Sequence, residues 1–489
     1  MNRINMIQVP KEVTKVIRAY INNFEGSQLR QKMKLGDDYY HSENTEIMSR
    51  KMLIYAETNE GLPYETEDPY KSNNKLPAGY FKLLTDQKVN YSLGKNVTVE
   101  ANDPDSLNDT LGKGFQRVLK KVATEASKKV VGWLHPYIDD KGQFKMMNVP
   151  SEQVIPVYQP YDKRALELTI RYYQVSVLNE DGEAVRVTRV EVWDEEEVTY
   201  YQENDKTSLF NLLDQQEMFD IFRRDFNNPK YHFQKDIKYG QKTTRTEGLA
   251  WGMVPFIPLY NNDAEEYDLK PIKAFIDAYD IVNSDFINNL EDFQDIYWIL
   301  KGYDGTNVSE FLSQVKRYKT LKVSDTGDAK AETIQIPYQA RKEAKEGLEQ
   351  DIFTFGMGVN TNQIGEGNIT NVVIKSRFTN LDLKASQFEG ELKEFLYGLI
   401  DFVNKYREIN KEPPIEVDDI VFNRSVIVNE VELLEANRNQ IGNVSRDTRF
   451  TNHLWVSNPK EEARKVDQEN EGMIDLNAPI VGDDDDPDE

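Results

Sequence analysis

No cysteine occurs anywhere in the 489 residues. Disulfide staples, thiolate nucleophiles and cysteine-ligated zinc are therefore excluded. Nowhere do about 18 apolar residues run together, so no membrane-spanning helix is expected. The opening MNRINMIQVPKEVTKVIRAY lacks the apolar core of a secretory signal, and a soluble chain made in a cytoplasm is expected. Positive charge is also scarce: 60 Lys and Arg face 84 Asp and Glu, a formal net charge of −24. A surface of that sign repels phosphate, so a basic groove that grips DNA is not expected. The four histidines, His41, His135, His232 and His453, are far apart and none has the HExxH spacing of a zinc site, so structural or surface roles are expected. Acidic pairs such as Asp292 with Asp295 read as solvated faces. No nucleophile elbow, kinase set or nuclease-like constellation is present, and neither an enzyme nor a cofactor or metal is expected.

Apolar residues are nonetheless 39% of the chain and aromatics 11%. That is enough for real cores, and the length predicts two or more folding units. Residues 10–35 read as a helix with Val13, Val16, Ile17, Tyr20 and Phe24 on one face. The stretch 36–76 reads as irregular. A helix follows from about 78, carrying Phe81, Leu84, Val89 and Tyr91 and stopped by a left-handed Gly94. Another fills 107–130. From 133 to 203 the period changes to two, with turns at Asp139-Asp140-Lys141-Gly142 and Asn179-Glu180-Asp181-Gly182, which predicts an antiparallel β-rich unit. Residues 204–250 read as a charged insertion or flap, and 252–262 as an extended segment bounded by prolines.

Pro271 sits well for a first helical position, and apolar residues from Ile272 to Phe293 recur at three- and four-residue steps. The resulting helix over 271–293 is roughly 35 Å long. A small β-α-β unit follows: YWILKG, a helix near Asn307 with Glu310 completing a capping box, then KTLKVS and ETIQIP. A helix resumes at 340 and runs to Gly358, so the ends of these two helices must lie close together. A long helix covers 371–408, with a stripe from Phe378 through Leu392 to Tyr406. Beyond Pro413-Pro414 come short strand and helix pieces, and the tail GDDDDPDE reads as disordered.

Between the last two long helices lies GMGVNTNQIGEGNITNVVIKSRF, residues 356–378. A phosphate cradle needs GxxxxGK[ST]; this loop has no lysine and carries Glu366, so it fails as a nucleotide site. The readings that remain are a plain connection and a contact surface. Local charge reverses from Lys301 to Val323, where five basic residues (Lys301, Lys316, Arg317, Lys319 and Lys322) face two acidic ones. That reversal reads either as a solvated helix face or as a docking surface.

Five stretches carry a family likeness in order: YFKLLTDQKVNYSLGK, VEVWDEEEVTYY, MVPFIPLYNN, FTFGMGVN with its polar loop and long helix, and VSRDTRFTNHLWVSNPKEEARKVDQENE. The chain resembles the portal proteins of tailed bacteriophages, of the type found in long-tailed phages of Gram-positive hosts, over about residues 10–471. The resemblance implies an α+β portal fold assembled as a ring, usually of twelve subunits, at a capsid vertex of the virion after assembly in the host cytoplasm. Its parts are an N-terminal helical segment (1–39), a wing (40–270 with the long helix 372–408), stem helices (271–293 and 340–357) and a clip (294–339). A tunnel loop (358–371), a crown (409–473) and an acidic tail (474–489) complete it. The implied partners are double-stranded DNA, held weakly and without sequence preference, the terminase large subunit that hydrolyses ATP, the head-to-tail adaptor, and the major capsid and scaffold proteins. Asn360, Thr361, Asn362, Gln363, Asn368, Thr370 and Asn371 would then face DNA, with Lys375 adding a modest positive ring, and the clip cations would dock the motor and later the adaptor. The competing readings are a head-to-tail adaptor or other virion structural protein, which would lack the helix–excursion–helix order at 271–357, and a nucleotide-dependent DNA enzyme.

Overall fold

The computed structural model describes residues 10–474 apart from 58–61, 69–70, 179–183, 205–208, 213–228, 240–242, 293–296, 302–327, 333–337, 362–369, 425–429, 452, 454–455 and 457–458. The chain divides into two compact units, Met1–Gly358 with Leu381–Ser425, and Val359–Asn380 with Val426–Glu489.

In the first unit α1 (Pro10–Glu25) buries Val13, Ile17, Ile21 and Phe24. The helix expected to reach residue 35 breaks at Gly26-Ser27, because the Ser27 hydroxyl accepts the Arg30 N–H at 3.1 Å and starts α2 (Gln28–Tyr40). The stretch expected to be irregular holds α3 (Thr45–Ser49) and a hairpin of β1 (Leu53–Glu57) with β2 (Pro63–Glu67). Next comes α4 (Tyr80–Leu93), and Gly94 caps it in the right-handed region, not the left-handed one expected. After β3 (Thr98–Ala101), the helix expected over 107–130 is two helices, α5 (Pro104–Leu111) and α6 (Phe115–Lys129), parted at Gly112, where φ is 73°.

The strand-rich stretch is as the alternation predicts: β4 (Val131–Ile138), β5 (Phe144–Val149), β6 (Val154–Gln159), β7 (Asp162–Leu178), β8 (Ala184–Trp193) and β9 (Glu197–Asn204). The first predicted turn is closed by Asp139 Oδ1, which accepts the Lys141 and Gln143 N–H groups at 2.9 Å each. The second lies outside the described residues. Beyond it are β10 (Leu209–Leu212), β11 (Lys230–Tyr231), β12 (Phe233–Tyr239), β13 (Thr243–Leu249) and β14 (Ile257–Tyr260). The expected flap over 204–250 is thus partly a hairpin, with Phe233 buried in the core and Lys235 tied to the Ile409 carbonyl at 3.0 Å. One sheet runs β10-β9-β8-β7-β6 and another β14-β4-β5. Every pairing between these strands is antiparallel, which fits the α+β class.

Two of the scattered histidines meet inside this sheet region. His135 lies 4.8 Å from the Trp193 ring and His232 5.6 Å from the same ring. His135 Nδ1 donates to the Pro255 carbonyl at 2.6 Å, whereas His232 Nδ1 accepts the Trp251 N–H at 3.2 Å. Burial holds both rings neutral and pushes each down to about 4 from 6.5, outweighing the Pro255 bond that by itself favours the His135 cation. An unfolded chain binds more protons than the folded one between those values, so stability is complete above about 6.5 and falls as pH drops toward 4. The loss at the acid end approaches about 3 kcal/mol per histidine. Urea midpoints measured between neutral pH and about pH 5 should fall steadily; a flat profile would contradict the buried neutral pair.

α7 (Lys273–Asp292) and α8 (Tyr338–Phe355) pack antiparallel, with Phe275 stacked on Phe355 at 5.1 Å and Phe286 against Tyr338 at 6.1 Å. A ladder ties α7 to the segment before α4. The Asn74, Leu76 and Ala78 N–H groups donate to Asn288 Oδ1, Ser284 Oγ and Asp280 Oδ1 at 2.7, 3.1 and 2.8 Å. Side chains four apart on a helix recur about every 6 Å, close to the 6.6 Å between alternate residues of an extended chain. α7 thus stands in for a strand edge. The excursion between the two helices shows β15 (Tyr297–Lys301) paired antiparallel with β16 (Asp328–Glu332). The helix expected near Asn307 and the strand expected at KTLKVS fall outside the described residues, as does ETIQIP beyond Glu332, the last residue of β16.

α9 (Asn371–Asn410) is about 60 Å long and contributes to both units. Phe378, Leu381, Ala385, Phe388, Leu392, Phe395, Leu399 and Val403 on its predicted stripe are all buried. β17 (Val417–Val421) pairs with β3, and the second unit adds α10 (Glu430–Asn439), α11 (Arg446–Thr451) and α12 (Pro459–Ile474). The acidic tail from 475 lies outside the described residues.

Candidate nucleic-acid interface

The polar loop leaves α8 through a tight, fixed turn. The Met357 N–H donates to the Thr354 carbonyl at 3.2 Å and the Gly358 N–H to the Phe353 carbonyl at 2.9 Å. This pair of bonds is the Schellman closure of a helix. Its left-handed position is filled by Met357, at φ 55°, and not by either flanking glycine. The glycines answer a different need. A Cβ on Gly356 would lie 2.6 Å from the Ile352 carbonyl oxygen and 2.7 Å from Leu84 Cδ1, and one on Gly358 would lie 2.1 Å from Leu84 Cδ2. Leu84 is buried on α4, so it cannot swing aside. Gly356→Ala and Gly358→Ala should each destabilise the subunit by about 1–3 kcal/mol through overpacking. Thermal unfolding of the two variants checks this, and wild-type stability in both would show that α4 has room to retreat.

Behind the turn lies a buried ionic cluster. Lys384 of α9 donates to the Gly356 carbonyl at 3.0 Å and stands 3.4 Å from Asp268. Lys88 of α4, only 1% exposed, donates to Asp268 at 3.0 Å and to Asn261 at 2.5 Å, with its ammonium 4.0 Å over the Phe388 ring. Asn261 returns a bond to Asp268 at 3.0 Å. Burial pushes the Asp268 carboxyl up, but Lys384 and Lys88 outweigh it and hold the group at about 2. Burial also pulls the Lys88 ammonium down to about 8, against the pull of Asp268. The cluster fixes α4, α9 and the end of α8 relative to one another.

The candidate residues themselves belong to the second unit. Asn360 is half-buried and Thr361 exposed; Asn362, Gln363 and Asn368 lie outside the described residues. Thr370 is exposed and its carbonyl accepts the Ile374 N–H at 3.1 Å, which begins α9. Asn371 is half-buried, and its N–H donates to Glu432 of α10 at 2.6 Å. A carboxylate thus already occupies the positive end of α9. Sequence reasoning missed Glu432, because nothing local marks a side chain 61 residues away as a cap. Lys375 is exposed, and Arg377 is exposed beside it while Ile374 and Phe378 turn inward. Of the clip cations, Lys301 ends β15, and Lys316, Arg317, Lys319 and Lys322 lie outside the described residues.

No helix among the described residues is long and apolar enough to cross a membrane. Two curated relatives cover most of the chain. The portal protein of Bacillus phage SPP1 is 25% identical over 98% of this chain and 91% of its own length. The portal protein of Clostridium phage phiCD119 is 28% identical over 89% of this chain and 92% of its own. Among solved structures, the neck of a native GTA particle computed with C12 symmetry matches at TM-score 0.36 and 11% identity, over 76% of this chain and 88% of that one. The neck of an empty GTA particle computed with C6 symmetry matches at TM-score 0.36 and 12% identity, over 79% and 89%. The family described as "Phage portal protein, SPP1 Gp6-like" matches residues 24–475, and the chain belongs to that family.

Proposed function

We propose that this chain is the subunit of a portal ring, a channel at one capsid vertex through which double-stranded DNA enters during packaging and leaves on ejection. Family membership over residues 24–475 carries the reading. In this reading the paired helices α7 and α8 are the stem, the β15–β16 excursion the clip, and residues 358–371 the loop that reaches into the bore. The clip cations from Lys301 to Lys322 dock the terminase motor and later the head-to-tail adaptor, while capsid and scaffold proteins hold the ring in the shell. The subunit works structurally, and ATP is hydrolysed on the terminase.

The charge argument supports a channel that does not hold its cargo. Each phosphate neutralised by a fixed cation adds affinity and salt dependence. A chain of net charge −24, with a loop of short amide and hydroxyl groups, keeps contact weak and indifferent to sequence. Negative-stain images of the purified chain should show rings of about a dozen copies, a closed cyclic assembly. Monomers or dimers alone at micromolar concentration, with and without capsid partners, would sink the reading.

A further inference from the structure

Two features of the first unit lie outside the proposed channel, and each lacks a counterpart. The first is the β1–β2 hairpin, whose strands, among the described residues, pair with each other and with no further strand. A lone two-stranded hairpin is marginal in water, yet this one leaves Leu53 51%, Ile54 45%, Leu62 61% and Tyr64 48% exposed. Its register sets Ile54 opposite Thr66 and Ala56 opposite Tyr64, so Ile54 and Tyr64 are neighbours on one face. Residues 52–70 contain Glu57, Glu60, Glu65, Glu67 and Asp68 and no basic residue, and of these Glu67 is paired at 2.7 Å with Lys51 just before the hairpin. The base of the hairpin is well held. Arg50 pairs with Asp285 of α7 at 2.8 Å, Lys75 donates to the Met48 carbonyl at 2.6 Å, and the Asp68 N–H donates to the Met52 carbonyl at 2.8 Å.

The second is a cleft of about 450 Å³ on α6, lined by Tyr40, Arg117, Lys120, Lys121, Thr124, Glu125 and Asn148. Helical spacing puts the three cations and Thr124 on one stripe. Among the described residues none of the three cations has an ion-pair partner, and the acidic group beside them, Glu125, is taken by Lys128 and Lys129 at 2.9 and 3.0 Å. Asn148 Oδ1 is buried there without a hydrogen-bond partner. An unmatched cluster of cations is out of place on a chain of net charge −24.

We propose that the acidic, apolar hairpin of one copy seats on the basic α6 cleft of the next copy. The claim rests on the ring reading and names a contact that closes it. Hairpin and cleft are opposite in charge, the hairpin brings the apolar surface, and the two are different patches of one chain. A contact between different patches repeats head to tail and closes into a ring. Duplex DNA is the weaker occupant for the cleft, because the field of the whole chain opposes its approach.

Cysteine-free sequence makes the test direct. Tyr64→Cys and Thr124→Cys are introduced together, and the purified chain is treated with a mild oxidant. A ladder of covalent multimers on a denaturing gel, collapsing with reductant, is expected. A disulfide that forms only within single chains, or none at all in wild-type-like rings, overturns the contact. In parallel, Lys120→Glu with Lys121→Glu, and Glu65→Lys with Glu67→Lys, set like charges against each other across the contact. Each pair should lower ring yield at least about tenfold by native mass spectrometry, and the chain carrying all four changes should regain it. Unchanged ring yield in both pairs overturns the proposal, as does a cleft variant that keeps its rings but loses retention of duplex DNA. Where a charge variant misfolds, as judged by circular dichroism, the cross-link decides. Absence of rings from the unmodified chain would instead sink the ring reading, and the cross-link would still report whether hairpin meets cleft.

Discussion

Replacing Asp268 with alanine is expected to lower the free energy of unfolding of the subunit by about 3–5 kcal/mol, the cost of leaving a buried charge without its partner. Asp268 stands between two lysines, with Lys88 at 3.0 Å and Lys384 at 3.4 Å, and it also accepts from Asn261. Lys88 is 1% exposed, so water cannot reach it when the carboxylate goes. Its ammonium would keep Asn261 and the Phe388 face, which do not offset a full charge. Lys384 differs, because it retains the Gly356 carbonyl and lies nearer the surface. The damage should therefore pass mainly through Lys88. Adding Lys88→Met to Asp268→Ala should recover most of the loss, since neither charge then remains. Urea denaturation of the three variants, read at a concentration where rings do not form, measures this. A loss below about 1 kcal/mol in Asp268→Ala would mean that solvent reaches the cluster.

That cluster also marks where sequence reading stops. Lys88 and Asp268 are 180 residues apart, and each reads locally as one more charge on a charged chain. The same holds for His135 and His232, which look scattered until β8 brings Trp193 between them. By contrast, α7, α9 and β4 to β9 were legible because their signal is periodic and local: a stripe every three or four residues, or strict alternation. The stretches that went unread fail that test for identifiable reasons. LIYAE and PYETE make a hairpin too short for alternation to stand out. Residues 74–78 are extended because α7 supplies acceptors at matching intervals, which no property of SNNKLPA announces. The break at Ser27 is a cap signal that a continuous apolar stripe overrode. In the loop, the left-handed position belongs to Met357, and the glycines of GMG are there to let Leu84 in. Glycine identity shows that a Cβ is unwelcome; it does not show whether backbone or neighbour is the reason.

Shortening the loop between Asn360 and Asn368 should leave ring formation and thermal stability unchanged and reduce DNA packaging at least about tenfold, since the anchors on either side keep their own bonds. Before it, the turn at 356–358 is fixed by its two helix-closing bonds and by Lys384. After it, the Asn371 N–H is capped by Glu432 and Phe378 is buried. On the proposed channel reading, removing the intervening residues would take away contact with the duplex without disturbing either support. A companion variant tests the physics from the other side. In the proposed ring, Asn360→Lys with Thr361→Lys and Asn362→Lys would turn an amide collar into a cationic one, and each phosphate it neutralises would add about 0.9 to the salt slope of DNA binding. Packaging by that variant should stall at low salt and recover as salt rises, whereas the shortened loop should stay impaired at every ionic strength. Packaging assays with purified terminase across a salt series distinguish the two. If the shortened loop packages normally, the segment is a plain connection between helices, and weak contact with the moving duplex must come from elsewhere on the chain.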